Sequence, residues 1–190
     1  MTMQTDIAEL SGSTVLGGAL PGQALFTKLA ALARSGPSIP TGWLWNMQGV
    51  EVVSPSFARE SFVSIRALLR AQRSNLVPVI VNANPDVRED LALTLKTAQS
   101  AILSCTRDSE GKLNDFELIG DLDAHLQATF DLVAERGETD AKELKELTDA
   151  RPGSAPIVQT AWNNRLAKLV ELGALIEIPH GRSKRYRPVI

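Results

Sequence analysis

The sequence has 190 residues, of which 44% are hydrophobic, and this is enough apolar material for one ordinary domain or two small ones. Its wholly apolar runs, such as residues 79–81 and 174–176, are far shorter than the roughly 20 residues of a membrane span. The first ten residues contain Asp6 and Glu9 and lack the basic start and apolar stretch of a secretory signal. We therefore expect no membrane span and a cytoplasmic protein of a prokaryote or phage.

The first two thirds of the sequence alternate between short apolar segments and longer amphipathic ones. Strands are predicted at residues 13–17, 42–47, 76–82 and 101–105, with an edge strand at 116–119 after a turn at 108–111. Helices are predicted at residues 23–34, 55–72 and 85–98. Ser54 and Asn84 each precede a proline and are expected to cap a helix. This alternation predicts an α/β sandwich.

The stretch from Trp43 to Glu60 runs from a strand through the Gly49-Val50 loop into a Ser-x-Ser-Phe-Ala-x-Glu helix start. This pattern resembles STAS-like domains, and a looser likeness extends over residues 12–118. The resemblance implies that the domain binds a partner protein, notably a kinase-like ATPase, and that a serine at this helix start is regulatory. By position, Ser54 and Ser56 are the candidates, with helix capping by Ser54 as the alternative.

The sequence departs from the STAS-like pattern at the end of the strand. The aspartate commonly found there is missing, and Asn46 and Gln48 lie in its neighbourhood. The two tryptophans of this strand, Trp43 and Trp45, either form an exposed aromatic face for a ligand or pack in the core.

After Gly120 the alternation ends, which predicts a domain boundary with an α/β domain in residues 1–120 and a second domain in residues 121–190. Three helical patterns follow at residues 122–135, from an N-cap at Thr139, and at 156–172. Two strand patterns, residues 175–178 and 184–189, flank a glycine-containing tip and predict a β-hairpin.

Charge is unevenly distributed along the chain. Residues 106–150 hold 5 basic and 13 acidic side chains, whereas residues 151–190 hold 7 basic and 2 acidic ones. A basic terminal segment in an acidic protein is typical of a surface that meets a phosphate backbone. The acidic second helix must then turn Asp140, Glu143 and Glu146 away from any phosphate.

The third helix and the hairpin carry side chains suited to DNA. If the apolar side chains of the helix face a core, its outer face presents base-contact candidates, with Arg165 at the edge: Gln159, Thr160, Asn163, Asn164 and Lys168. The hairpin supplies phosphate-contact candidates: Arg182, Lys184, Arg185 and Arg187. Strand alternation predicts that Arg185 and Arg187 point outward and Tyr186 inward.

Residues 160–175, followed by 181–186, resemble the recognition helix and wing of bacterial winged-helix regulators. The likeness rests on the Thr160-Ala start, the Arg165-Leu166 pair, the exit at Gly173 and the Gly-Arg-x-x-x-Tyr wing ending at Tyr186. It implies a winged helix-turn-helix over about residues 122–189 that binds double-stranded DNA, as a homodimer where half-sites are paired. The long linker at residues 149–156 departs from the pattern.

These patterns predict a DNA-binding transcriptional regulator whose STAS-like domain senses a signal or recruits a partner. The alternatives are a non-catalytic DNA-binding or adaptor subunit of a larger complex, such as a phage-defence complex, and a winged helix used only for protein docking. An enzyme is disfavoured. His125 and His180 lack partners at metal-ligand spacing, the single Cys105 fits a small buried side chain, and residues 17–22 fit a tight turn better than a phosphate loop. No cofactor or metal is predicted.

Overall fold

The structure is a computed structural model that describes residues 2–150, 156–181 and 183–190. The chain folds as a mixed α/β protein, which confirms the coarse fold prediction. It divides into a first unit that ends at Leu122 and a second unit from Asp123 to Val189.

The first unit is built on a sheet of mostly parallel strands. Its strands are β1 Thr2–Asp6, β2 Val15–Leu16, β3 Thr41–Asn46, β4 Val52–Val53, β5 Leu76–Val81, β6 Ala101–Arg107 and β7 Leu113–Gly120. The main sheet has the order β1-β3-β5-β6-β7, with only β7 antiparallel to its neighbour. Strands β2 and β4 pair separately and in parallel. Strand β1 was not predicted from the sequence, because the polar residues of β1 lack the β-branched and aromatic run typical of strands.

Five helices belong to this unit: α1 Ile7–Ser11, α2 Ala19–Ala33, α3 Pro55–Ala58, α4 Ser64–Ala71 and α5 Pro85–Thr97. Helix α2 begins four residues earlier than predicted, because Pro21 lies in its first turn, where a missing N–H costs nothing. The predicted helix at residues 55–72 is interrupted by a π-helical segment, Arg59–Val63. There the Ser61 hydroxyl donates to the Phe57 carbonyl at 2.7 Å and the Ser64 hydroxyl to the Arg59 carbonyl at 3.0 Å.

The tryptophans of β3 belong to the core. Trp43 and Trp45 are fully buried, and their rings meet edge to face with centroids 5.6 Å apart. The Trp43 indole donates to the Thr5 hydroxyl at 2.8 Å, and the Trp45 ring lies 5.4 Å from that of Phe62. Both rings belong to the buried apolar cluster of this unit, together with Phe57 and Phe62. The core alternative for these residues is therefore correct.

Two helix caps predicted from the sequence are confirmed. The Ser54 hydroxyl accepts from the Phe57 amide at 3.3 Å, and the Asn84 side-chain oxygen accepts from the Val87 amide at 2.8 Å. The Asn84 amide also donates to the Val50 carbonyl at 2.9 Å. This second bond ties the start of α5 to the loop before β4.

In its described residues, the second unit comprises three helices and an antiparallel hairpin: α6 Ala124–Arg136, α7 Ala141–Asp149, α8 Gln159–Glu171, β8 Leu175–His180 and β9 Ser183–Pro188. We refer to β8 and β9 together as the hairpin. The buried side chains of the second unit come from all three helices and from both strands of the hairpin, and include Phe130, Leu144, Trp162 and Tyr186. Within the described ranges, no helix of either unit has the length and apolar character required to cross a membrane.

The segment between α6 and α7 differs from the prediction. Asp140, not Thr139, is the N-cap of α7, since its carboxylate accepts from the amides of Lys142 and Glu143 at 2.8 and 2.9 Å. Thr139 is fully buried and exchanges two main-chain hydrogen bonds with Tyr186 of β9, at 2.9 and 2.8 Å. Long-range pairing therefore uses Thr139 in place of the local cap.

Gly22 in α2 provides a test of the packing between α2 and α3. Replacement of an exposed helical glycine by alanine usually raises the free energy of unfolding by about 1 kcal/mol. At Gly22 the added Cβ would lie 2.7 Å from the Phe57 carbonyl oxygen. We expect Gly22→Ala to lower the free energy of unfolding by about 1–3 kcal/mol in urea titrations.

Gly17→Ala is the matched control, because no atom lies within 4 Å of the Cβ it would add. It should change the free energy of unfolding by less than about 0.5 kcal/mol. Equal effects of the two substitutions would contradict the close approach of α2 and α3.

Candidate nucleic-acid interface

The predicted base-contact residues share the outer face of α8. Trp162, Leu166 and Leu169 are buried at helical spacing, so the opposite face is left to solvent. That exposed face carries Gln159, Thr160, Asn163, Asn164 and Lys168. Arg165 is half-buried at the edge, with its guanidinium 5.2 Å from the centre of the Trp162 ring. Such stacking leaves the charge in place while restricting its position.

A groove of about 620 Å³ lies between α8, the start of α7 and the hairpin. We call it the α8–hairpin groove. It brings Gln159, Asn163 and Asn164 of the predicted base-contact set to the same concavity as Lys184 of the predicted phosphate-contact set. Ser183 and Tyr186 of β9 also line the groove. Sequence reasoning did not anticipate that the two sets line one concavity.

Two of the predicted cations already have acidic partners on the surface. The Lys168 ammonium lies 3.0 Å from Glu171, and the Lys184 ammonium lies 3.0 Å from Glu177. The hydrogen bond with Glu177 is the main cause that raises the pKa of Lys184. Exposed pairs of this kind contribute about 0–1 kcal/mol, so a phosphate can compete for either amine. Arg187 is exposed and makes no ion pair among the described residues.

The acidic side chains of α7 do not all turn away from the groove. Asp140 lines it together with Gln159 and Asn163, so DNA in this groove would meet the carboxylate that the prediction turns away from phosphate. One carboxylate oxygen of Asp140 is engaged by two amides at the start of α7, where the helix dipole favours negative charge. Glu146 is exposed and pairs with Lys142 at 3.7 Å.

Arg185 does not project outward as strand alternation predicts. Its side chain is 25% exposed, and its guanidinium lies 2.6 Å from Glu138 and 2.9 Å from Glu143. The cause is non-local, because the pairing of Thr139 with Tyr186 brings these two carboxylates alongside β9. The hydrogen bond from Arg185 is the main cause that lowers the pKa of Glu143.

Three further positions singled out in the sequence are Arg182, His125 and His180. Arg182 lies outside the described residues. His125 and His180 are exposed. Within the described ranges, no group of three or more His, Cys, Asp or Glu side chains is placed to hold a metal ion.

The serine candidates lie at the start of α3 and are half-buried. The Ser54 hydroxyl accepts from the Phe57 amide at 3.3 Å and from the Gly18 amide at 3.1 Å, so it joins the starts of α3 and α2. The Ser56 hydroxyl lies 3.2 Å from that of Ser54. Ser54 therefore accepts hydrogen bonds from two main-chain amides, whereas the Ser56 hydroxyl accepts from no amide among the described residues.

Comparison with known proteins adds little. No protein-family model matches the sequence, and no curated protein sequence matches it. Among solved structures, a chain from "Structure of the ESCRT-II endosomal trafficking complex" is 12% identical and covers 67% of this chain and 72% of that chain. The TM-score is 0.33, which is too low to carry an argument about fold or function.

The cluster around Arg185 can be tested by titration. The pKa of Glu143 lies below its ordinary value of 4.5, mainly because of Arg185. A carboxyl whose pKa is lowered in the folded state stabilises that state above about pH 4.5, and the stabilisation is lost as the pH falls through the lowered pKa. We expect Arg185→Gln to move the Glu143 pKa back toward 4.5 in carboxyl ¹³C NMR titrations.

Arg187→Gln serves as the control for that titration, since Arg187 lies two residues along the same strand without an acidic partner among the described residues. It should leave the Glu143 pKa unchanged. If neither substitution changes the pKa of Glu143, the ion pair does not form in solution.

The role of Ser54 as a joint cap predicts a difference between the two serines. Ser54→Ala removes the acceptor for two amides, and we expect it to lower the free energy of unfolding by about 1–2 kcal/mol. Ser56→Ala should cost less than about 0.5 kcal/mol. Chemical denaturation monitored by circular dichroism distinguishes them, and a larger loss for Ser56→Ala would be inconsistent with capping by Ser54.

Proposed function

We propose that this protein is a DNA-binding transcriptional regulator, in which the second unit is a winged helix-turn-helix and the first unit is a STAS-like domain that senses a signal or recruits a partner. The observation that carries the proposal is the α8–hairpin groove. It places amide side chains of a helix beside a basic hairpin, which is the combination that reads bases and holds phosphates.

The order of elements in the second unit supports the winged-helix interpretation. Helix α6 is followed by the bridging residue Thr139, helices α7 and α8, and then the hairpin. The Thr139 bridge adds a third, one-residue strand to the outer side of β9. Helix α8 packs on both α6 and α7 and so presents only its outer face. In a helix-turn-helix this second helix of the pair is the one that enters the major groove.

The dimensions and chemistry of α8 suit that role. Its 13 residues correspond to a length of about 20 Å, and the major groove of about 12 Å width admits such a helix. Asn163 and Gln159 can each bond adenine through two hydrogen bonds. Lys168 and Arg187 lie outside the groove lining, and both are exposed side chains that can meet phosphates.

The number of available cations sets the expected salt dependence. Lys168, Lys184 and Arg187 remain as phosphate contacts in the described part of the chain, whereas Arg185 is held by carboxylates. Each neutralised phosphate steepens the salt dependence by about 0.9 in the logarithmic slope. We expect a slope of roughly −3 per protomer, and about twice that for a homodimer on paired half-sites.

The first unit offers an apolar surface beside its serines. Val15 and Val52 are register partners in β2 and β4 and are 53% and 48% exposed, and Leu20 at the start of α2 is 78% exposed. Large side chains left in solvent next to one another are typical of surfaces that bind a partner. This surface supports partner recruitment by the STAS-like unit, and Ser56 is the candidate for modification.

DNA binding is tested with duplexes selected by the full chain from a randomised pool. Fluorescence anisotropy should show tighter binding to selected than to scrambled duplexes. Asn163→Ala should lower affinity for the selected duplex by about 1–3 kcal/mol, because a base contact is lost, and leave affinity for scrambled duplexes within about twofold.

His125→Ala, an exposed change on α6, is the control and should affect neither duplex. Absence of binding to any duplex would contradict the proposal. Binding without sequence preference, with Asn163→Ala silent, would instead favour the non-catalytic DNA-binding or adaptor subunit.

A further inference from the structure

We infer that Arg185 is a positioning residue that fixes the hairpin to the segment between α6 and α7, and that it does not contact DNA phosphate. The part of this inference that concerns DNA rests on the proposed function. The part that concerns the hairpin applies to the free protein.

The guanidinium of Arg185 donates hydrogen bonds through all three of its nitrogens. Its Nε donates to Glu138 Oε1 at 2.6 Å, and its two terminal nitrogens donate to the Glu143 carboxylate at 2.9 and 3.3 Å. One terminal nitrogen also approaches the Glu138 carbonyl at 3.5 Å, and Asp140 lies 3.9 Å away. Charge-assisted bonds in a two-pronged arrangement are the strong class of hydrogen bond.

These contacts lie where the hairpin joins the helices. Arg185 directly precedes Tyr186, whose amide and carbonyl bond Thr139, and Glu138 directly precedes Thr139. The Thr139 hydroxyl donates to Glu143 at 2.9 Å, so the same carboxylate serves both residues. Side-chain and main-chain bonds thus secure the same junction, and neither is part of the hairpin's own pairing.

The surrounding charge disfavours a phosphate at this place. Three carboxylates, Glu138, Asp140 and Glu143, face two cations, Arg185 and Arg136, the latter 3.8 Å from Glu143. Release of Arg185 to a phosphate would leave these carboxylates in excess beside a polyanion. Lys168 and Lys184 each pair with a single carboxylate among the described residues, so they are the better phosphate ligands.

The residues on either side of Arg185 in the chain line the α8–hairpin groove. Lys184 and Tyr186, the neighbours of Arg185 in β9, line the α8–hairpin groove opposite Asn163. The contacts of Arg185 therefore fix the distance between the hairpin and α8. Their loss should weaken recognition of a preferred sequence without removing a phosphate contact.

The test compares Arg185→Gln, Arg185→Lys and Arg187→Gln in the full chain. By NMR hydrogen exchange without DNA, Arg185→Gln should speed exchange of the Thr139 and Tyr186 amides at least tenfold, and Arg187→Gln should not. In anisotropy titrations, Arg185→Gln should weaken binding to the selected duplex at least fivefold with the salt slope unchanged. Arg187→Gln should reduce that slope by about 0.9.

Arg185→Lys separates the two roles further. Lysine keeps the charge but lacks the planar fork that spans two carboxylates, so it should behave like Arg185→Gln if Arg185 positions the hairpin. Near-normal affinity and slope for Arg185→Lys, together with a reduced slope for Arg185→Gln, would identify a phosphate contact and overturn the inference.

Unchanged amide exchange in Arg185→Gln would also overturn it, whatever the DNA result. If Arg185→Gln does not fold, Glu138→Gln with Glu143→Gln loosens the same junction with Arg185 intact. That double variant should speed the same exchange and weaken selected-duplex binding, whereas tighter binding with unchanged exchange would show that a freed Arg185 contacts DNA. If the unaltered protein binds no duplex, the proposed function fails, and the exchange data still decide whether Arg185 positions the hairpin.

Discussion

The second unit depends on one long-range main-chain contact, the pair of hydrogen bonds between Thr139 and Tyr186. These two bonds fix the hairpin relative to the helices, because the loop around Thr139 enters α7 within two residues. The buried threonine, the Asp140 cap and the ion pairs of Arg185 all follow from that contact. A short bridge of this kind organises an interface that the helices alone would not define.

The electrostatics of the α8–hairpin groove are those of a selective surface and not of a general polyanion binder. Most of its cations have acidic neighbours, and Asp140 and Glu177 are part of its lining. A ligand gains little from charge alone there, and must instead offer hydrogen-bonding groups to the amides of α8. Together with the net charge of −2, this balance fits the proposed discrimination among DNA sequences.

Features with local causes could be read from the sequence. The caps Ser54 and Asn84 were found because a polar side chain before a proline specifies a helix start within four residues. The outer face of α8 followed from helical spacing. The boundaries that failed have weak or conflicting local signals, as in the polar edge strand β1, the Pro21 turn that opens α2 and the π-helical insertion.

The candidate site was only partly predictable for the same reason. Gln159, Asn163 and Lys184 were identified by residue type and periodicity, but their shared groove requires three elements to meet. Arg185 was misplaced because strand alternation describes an isolated hairpin, whereas its partners Glu138 and Glu143 come from more than 40 residues earlier in the chain. The same alternation places Arg187 correctly, since no carboxylate of the described residues reaches it.

The burial of the single cysteine has a practical consequence. Cys105 is 3% exposed, and burial raises the pKa of its thiol to about 11. At neutral pH only about one molecule in ten thousand carries the reactive thiolate at that position. A cysteine introduced on the exposed surface of the second unit would thus be alkylated by a maleimide probe long before Cys105, and the natural residue need not be replaced. Spectroscopic labels can therefore follow the hairpin in the otherwise unaltered chain.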